Sequence, residues 1–543
     1  MTPTPFPNQP PPFEGRNLYA DDASLREALV REGAEHAQAQ VRAWGEALGQ
    51  AETYALADAA NRNPPRLRAL DRTGERIDEV EFHPAWHALM AMATTQGEHC
   101  APWRDARPGA QVARAAMYVM HAQVENGTQC PLTMTYAAVP ALRAHADAAL
   151  VTRWLPKLLA YDYDPRPLPI EHKRAALVGM GMTERQGGSD VRSNRTRAQA
   201  QADGTYRLNG HKWFFSAPQC DAHLVLAQAD GIACFLVPRQ LDDGTRNALR
   251  LVRLKDKLGN RSNASSEVEF DGALGYLIGE PGRGIATILE MVRHTRLDCV
   301  LGSTGMMRAA LSWALHHAAH RVAFGAALID QPVMRNVLAD LALEVEAATA
   351  LSLRLARAFE SQPHSADQAL ARVLTPAAKY WVCKRGPPLA AEALEVLGGN
   401  GYVEENPLPR VYREMPVNSI WEGSGNVIAL DVVRALSREA AARDALRDHL
   451  DEASGVDARF DAAIRAVDRM LSHDLDDAGA ARRIAQLVTL TAQGALLVRH
   501  APTCVADAFC ASRLSGDPFA GAAFGTLPRG IDTGAIVDRA RGA

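Results

Sequence analysis

From about Leu177 to Ile278 the chain is a succession of short β-rich runs, and on both sides of that block it reads as helix. This order, α then β then α, limits the fold more than any other feature. The runs include Tyr206-Arg-Leu, Trp213-Phe-Phe, Leu224-Val-Leu, Cys234-Phe-Leu-Val and Val268-Glu-Phe. They have strand periodicity, whereas the flanks repeat their apolar residues at helical spacing. Asn209-Gly210 lies between two runs and predicts a hairpin turn. Upstream, residues 20–160 read as mainly helical, with the strongest patterns at Ala23–Ala59, Gly109–Gln123 and Ala141–Leu155. Tyr161–Pro169 reads as a connection. Downstream, no proline occurs between Pro281 and Pro332, and helices are predicted over Ile285–Val322, Val333–Phe359, Asp367–Lys384 and Leu389–Leu397. A last segment carries helical patterns at Ala458–Leu471 and Ala480–Arg499, then a Gly/Pro-rich tail from Ser515 to Gly534. The expected fold class is α+β, and the α/β alternation of a doubly wound sheet is not seen.

The expected domains are a helical one over 1–178 with a Pro-rich start, a β domain over 179–284, a helical bundle over 285–441 and an appended helical domain over 442–543. A length of 543 residues suits three or four such units. The net charge of −4 gives the whole molecule no general attraction to nucleic acid or membrane. Only seven of the 59 basic residues are lysine. Eight scattered cysteines, without Cys-x-x-Cys, imply neither a metal site nor a disulfide framework and suit a reducing cytoplasm. The first twelve residues hold six prolines and no charge, unlike a signal peptide, and no apolar run is long enough to span a bilayer. G-x-G-x-x-G, P-loop, H-E-x-x-H and G-x-S-x-G motifs are all absent, which excludes several common enzyme classes.

Five motifs carry chemistry. Met180-Gly-Met-Thr-Glu-Arg-Gln-Gly-Gly-Ser-Asp190 opens the β block, with glycines that allow close approach of backbone to a ligand and two hydroxyl donors, Thr183 and Ser189. Trp213-Phe-Phe-Ser216 is an aromatic strand ending in a hydroxyl, a pattern found in cores and at cofactor walls. In Asn418-Ser-Ile-Trp-Glu-Gly-Ser-Gly-Asn426, Glu422 lies between a Trp and a turn that opens a helix. Exclusion from water would raise its pKa toward that of a useful base. A Glu that serves only the helix dipole is the commoner reading of that pattern taken alone. Arg321-Val-Ala-Phe-Gly325, with Gln331 beyond it, could meet a pyrophosphate or simply close a helix. Leu397-Gly-Gly-Asn-Gly-Tyr402 is a Gly-rich turn.

Taken together, in this order, the motifs resemble the acyl-CoA dehydrogenase superfamily over residues 80–440. The chain carries M-T-E-x-x-x-G-S-D at Met182–Asp190, Lys257-Leu-Gly-Asn-Arg261 and Gly279-Glu-Pro-Gly-Arg-Gly284. It also carries R-x-x-F-G at Arg321–Gly325, G-G-x-G-Y at Gly398–Tyr402 and Glu422-Gly423. The runs Asn61–Pro65, Phe82–His87, Lys255–Ser265 and Arg413–Asn426 resemble the AidB-like branch of that superfamily, as does the appended segment.

The resemblance implies FAD, held by Met180, Met182, Thr183, Gly188, Ser189, Phe214, Phe215 and Ser216, with Trp421, Gly423, Ser424 and Asn426. It implies that Arg321, Phe324, Gln331, Gly398 and Gly399 meet the FAD of a neighbouring subunit, and hence a homotetramer. Glu422 would remove the α-proton of an acyl thioester such as isovaleryl-CoA while the β-hydrogen leaves as hydride to the flavin. Arg296 and Trp421 would line the acyl-CoA pocket. Two positions depart from the family pattern, namely Glu395, where Gln is common, and Trp421, where Tyr is common. An acyl-CoA oxidase is a third reading, since oxidases also carry an extra helical domain.

The AidB-like resemblance also implies association with double-stranded DNA and a role in the response to DNA alkylation. Residues 442–543 hold 12 Arg and no Lys against 14 acids, a net of 12 − 14 = −2, which offers no overall basic face. Arg465 and Arg469, one helical turn apart, and Arg482-Arg483 on the next helix could form a local patch.

Overall fold

A computed structural model describes residues 8–362, 364–517 and 519–542. Most of the Pro-rich start, residues 1–7, lies outside the described residues. The chain separates into two compact units. One comprises Glu52–Arg107 and Glu125–Thr295, and the other Met1–Ala51, Pro108–Val124 and Arg296–Ala543.

The first unit is built on a seven-stranded sheet. Ala222–Gln228 pairs antiparallel with Ile232–Pro238, which pairs with Ser265–Ile278, which pairs with Tyr206–Ser216. Tyr206–Ser216 pairs with Arg197–Ala200, and Arg197 returns to Gln228, so the pairings close a cycle. Val178–Gly181 adds in parallel to Ala222–Gln228, and Leu249–Leu254 adds to Ser265–Ile278. Phe215, Val225, Phe235, Val268 and Phe270 fill the core of the sheet.

Asn209-Gly210 is not a turn. Tyr206–Ser216 is one continuous strand of 11 residues with a register shift between Leu208 and Asn209. Gly210 has φ +147°, and a Cβ there would lie 2.6 Å from the Thr196 Cα. The Asn-Gly pair therefore marks a bulge where a neighbouring backbone passes closely, the second meaning of glycine in a strand. Asn209 spends its side chain across the sheet, where its Oδ1 accepts from the Gly272 N–H at 2.9 Å.

Two helical expectations in the N-terminal region also change. Arg66–Leu70 and Arg76–Glu81 form a hairpin, in which Arg68 faces Glu79 and Glu81. The stretch Ala141–Leu155 is divided at Asp147, whose carboxylate caps a new helix, Ala148–Leu158, through the Leu150 N–H.

The second unit is helical. Its long helices include Pro332–Ala358 and Ala366–Val396, and the helix Gly284–His320 continues into it from the first unit. Ala366–Val396 runs unbroken through Pro376, Pro387 and Pro388, where sequence reading divides it. A proline inside a helix costs about 3 kcal/mol, and burial of Leu389, Ala390 and Ala393 beyond the proline pair offsets that locally. A bidentate ion pair between Arg114 and Asp298, both oxygens at 2.7 Å, is buried in this unit.

The appended segment contains Ala458–His473 and Ala481–His500, close to expectation, and also Ala440–Asp451, Thr503–Phe509 and Thr533–Arg541. The last of these falls partly in the tail that reads as irregular. Asp532 caps it, and Arg539 pairs with Glu27 and Glu346. Among the described residues no helix is long and apolar enough to cross a membrane, and no cluster of His, Cys, Asp and Glu could hold a metal ion.

Candidate active site

In the sheet unit, Met180 is buried at the end of Val178–Gly181, and the chain then turns through Met182, Thr183 and the exposed Gly188 and Ser189. A Cβ on Gly188 would stand 2.4 Å from Thr183 Oγ1, so the glycine keeps the space before that hydroxyl open. Glu184 of the same motif turns inward. Its Oε1 accepts from Lys212 Nζ at 2.9 Å, and both side chains are fully buried. Its carboxylate also accepts from the Arg195 and Thr196 N–H groups. Burial pushes the Glu184 pKa up, but the Lys212 ammonium and these donors prevail and hold it below the usual carboxylate range. Lys212 also donates to the Leu226 carbonyl at 2.8 Å.

Strand alternation divides the aromatic motif. Phe215 is fully buried against His223 and Phe270, so its ring belongs to the core and only its backbone could reach a cofactor. Phe214 is 52% exposed and Ser216 half-buried. Lys255 lies over the rings of Trp213 and Phe214, 3.8 and 4.6 Å from their centroids. The Lys255 ammonium is itself held by the Glu267 carboxylate at 2.7 Å.

In the helical unit, the loop carrying Glu422 ends in the helix Gly425–Arg438. Glu422 has φ +60° and Gly423 φ +111°. Such a backbone costs about 1–3 kcal/mol for a non-glycine residue and persists only where its surroundings fix it. Two cations do so here. Arg296 Nε donates to the Glu422 carbonyl at 3.0 Å while its Nη1 pairs with Asp431 at 2.8 Å. Lys379, buried, donates to the Gly423 carbonyl at 2.8 Å. Trp421 donates its indole N–H to Asn418 Oδ1 at 2.9 Å, and Asn418 donates to Ser303 Oγ at 3.0 Å. Ser424 stands at the N-cap position with its hydroxyl making no cap bond, and Asn426 is exposed. Arg296 thus meets the Glu422 loop at a backbone carbonyl. Sequence reading misses Ser303 and Lys379, which lie far from the motif in the chain, and the bonds made by Asn418, at the start of the motif, and Asp431, five residues beyond its end.

Arg321, Phe324 and Gln331 come together at a small hairpin, Val322–Ala323 with Ala326–Ala327. Arg321 donates to the Asn8 carbonyl at 2.6 Å, and Gln331 to the Ala323 carbonyl at 2.8 Å. Phe324 is fully exposed. Gly398 and Gly399 are exposed in a short turn of helix after Val396, and Glu395 beside them is also exposed. Arg465, Arg469, Arg482 and Arg483 are all exposed.

The profile described as adaptive response protein AidB N-terminal domain matches residues 8–165. The acyl-CoA dehydrogenase middle and C-terminal domain profiles match 179–273 and 282–437. AidB of Escherichia coli (strain K12) is 52% identical over 505 residues, covering 93% of each chain. The chain belongs to the acyl-CoA dehydrogenase family, in its AidB branch. Acyl-CoA dehydrogenase family member 11 of Caenorhabditis elegans is 29% identical over 89% of this chain and 84% of its own length. The structure of Caenorhabditis elegans ACDH-11 in complex with C11-CoA superposes with a TM-score of 0.86 at 27% identity, covering 95% of this chain and 94% of that one. The acyl-CoA dehydrogenase family uses FAD. Helical N-terminal, central β and C-terminal helical regions are the architecture of that family, and this chain shares it.

Proposed function

We propose that the chain is an FAD-dependent acyl-CoA dehydrogenase in which Glu422 removes the α-proton of an acyl thioester. The observation that carries this reading is the strained Glu422–Gly423 backbone, clamped at both carbonyls by Arg296 and Lys379. A carboxylate held at such cost suits a general base, whose rate contribution depends on geometry. When bound, FAD supplies the acceptor for the β-hydride. Thr183, Ser189 and Ser216 are the groups of the sheet unit that would hold it. Arg321, Gln331 and the Gly398 turn would serve the FAD of a second copy in a homotetramer. The exposure of Phe324 and Tyr402, 100% and 88%, supports a face that another copy covers.

The test is an anaerobic titration of the FAD-bound protein with isovaleryl-, butyryl- and undecanoyl-CoA, following the visible flavin band. The last is included because the Caenorhabditis elegans relative was solved with C11-CoA. At least one thioester is expected to bleach the band within seconds, and bleaching by none would reject the dehydrogenase reading.

A second reading, association with double-stranded DNA in the response to alkylation, is supported by the exposure of all four candidate arginines. Arg465→Glu with Arg469→Glu is expected to weaken duplex binding at least tenfold and to flatten its salt dependence, at about one counterion per lost phosphate contact. An unchanged slope of affinity against salt would remove these two residues from any phosphate contact.

A further inference from the structure

The base loop has a third cationic contact, and it comes from outside the acyl-CoA dehydrogenase domains. Arg482 opens the helix Ala481–His500, far beyond residue 437 where the match to the C-terminal domain ends. Its Nε donates to Asn426 Oδ1 at 2.8 Å, and its Nη2 lies 3.8 Å from the position of a Cβ on Gly425. Lys384 packs against the same position so closely that its Nζ would be 3.0 Å from that Cβ. Burial lowers the Lys384 pKa, and the charge of Arg482 lowers it further. Two like charges are therefore held together at the first turn of Gly425–Arg438, the positive end of a helix, with no acidic residue in that turn. Arg482 is unfavourable there on charge alone, and its bond to Asn426 is what its placement gains.

We propose that Arg482 is a positioning residue for Glu422: by fixing Asn426 it anchors the first turn of the helix into which the loop runs, while Arg296 and Lys379 hold the loop itself. The appended segment thereby contributes to the aim of the carboxylate, four residues upstream of the contact. This rests on the reading of Glu422 as the base. A residue in a left-handed backbone has no regular hydrogen-bond ladder to restore it, so a slackened loop end changes both its direction and its surroundings.

The experiment uses the full-length, FAD-bound protein with Arg482→Gln and Arg482→Lys. Amide hydrogen exchange over residues 421–428 and the pH profile of flavin reduction at saturating thioester are measured for each. Arg482→Gln is expected to speed exchange over 421–428 about tenfold, to slow reduction about tenfold, in line with the geometric sensitivity of oriented catalytic groups, and to displace the acid limb of the profile. KM should move little, and Arg482→Lys should recover part of each change. Exchange and profile both equal to the unsubstituted protein would overturn the proposal. So would faster exchange with an unmoved profile, which marks a purely structural contact. Should no thioester reduce the unsubstituted protein, the dehydrogenase reading itself fails. Exchange over 421–428 and its recovery by lysine then decide whether Arg482 holds the loop.

Discussion

Glu422→Gln is expected to lower the rate of flavin reduction by an acyl thioester about 10²–10⁴-fold, the usual range for loss of a positioned general base. Glutamine keeps the size and the polar end of the side chain and removes only the ability to take a proton. The backbone demand at φ +60° is the same for both residues, and the Arg296 and Lys379 bonds go to the carbonyls of residues 422 and 423, which the substitution leaves in place. The variant should therefore fold, bind FAD and bind thioester like its parent while failing in proton abstraction. Stopped-flow bleaching of the visible band under anaerobic conditions measures this directly. Reduction at the parental rate would move the base to another residue.

The largest effect on stability is expected from Glu184→Gln. The sequence motif presents this residue between two candidate cofactor contacts, yet the fold turns it inward to Lys212 with both side chains buried. Glutamine would leave the ammonium without a counter-charge among the strands Tyr206–Ser216 and Ala222–Gln228. Breaking one side of a buried pair costs about 3–5 kcal/mol. Lys212 also donates to the Leu226 carbonyl, and Asn194 donates to the Met182 carbonyl, so the motif and the sheet should loosen together. A fall in melting temperature of several degrees, with weaker retention of FAD on dilution, is the expected outcome in thermal denaturation followed by flavin fluorescence. Parental values for both would show that the pair contributes nothing net. The folded-state pKa of Glu184 is depressed, so its stabilisation is present at neutral pH and is lost as the pH falls through the carboxylate range.

The long elements were legible because burial along one face leaves a periodic record. Gly284–His320 and Pro332–Ala358 match expectation to within two residues at each end. Local signals with two physical meanings were less decisive. Asn-Gly serves a hairpin turn or a bulge, and only the close passage of Thr196 selects the bulge. Prolines 387 and 388 would end a helix in isolation, and tertiary burial carries it through.

The candidate site divides in the same way. Its residue types were in the motifs, because a hydroxyl, a glycine and a carboxylate are chemical requirements that the sequence must carry. Their partners were not, because Arg296, Lys379 and Arg482 reach the Glu422–Asn426 segment across separations of 44 to 126 residues. One unused signal was the scarcity of lysine, seven in a chain rich in arginine. Lys173 and Lys212 place their ammonium groups on buried carboxylates and carbonyls, Lys257 and Lys379 on carbonyls, and Lys255 on a carboxylate. A compact point charge suits these places. Sequence alone determined the α, β, α order of the main blocks and, through the family, the FAD cofactor, and it offered Glu422 as a candidate base, since periodicity and functional groups are properties of the chain. Tertiary structure alone decided which way Glu184 and Phe215 face and what holds Glu422 in a left-handed backbone, since those depend on distances between residues that the sequence keeps apart.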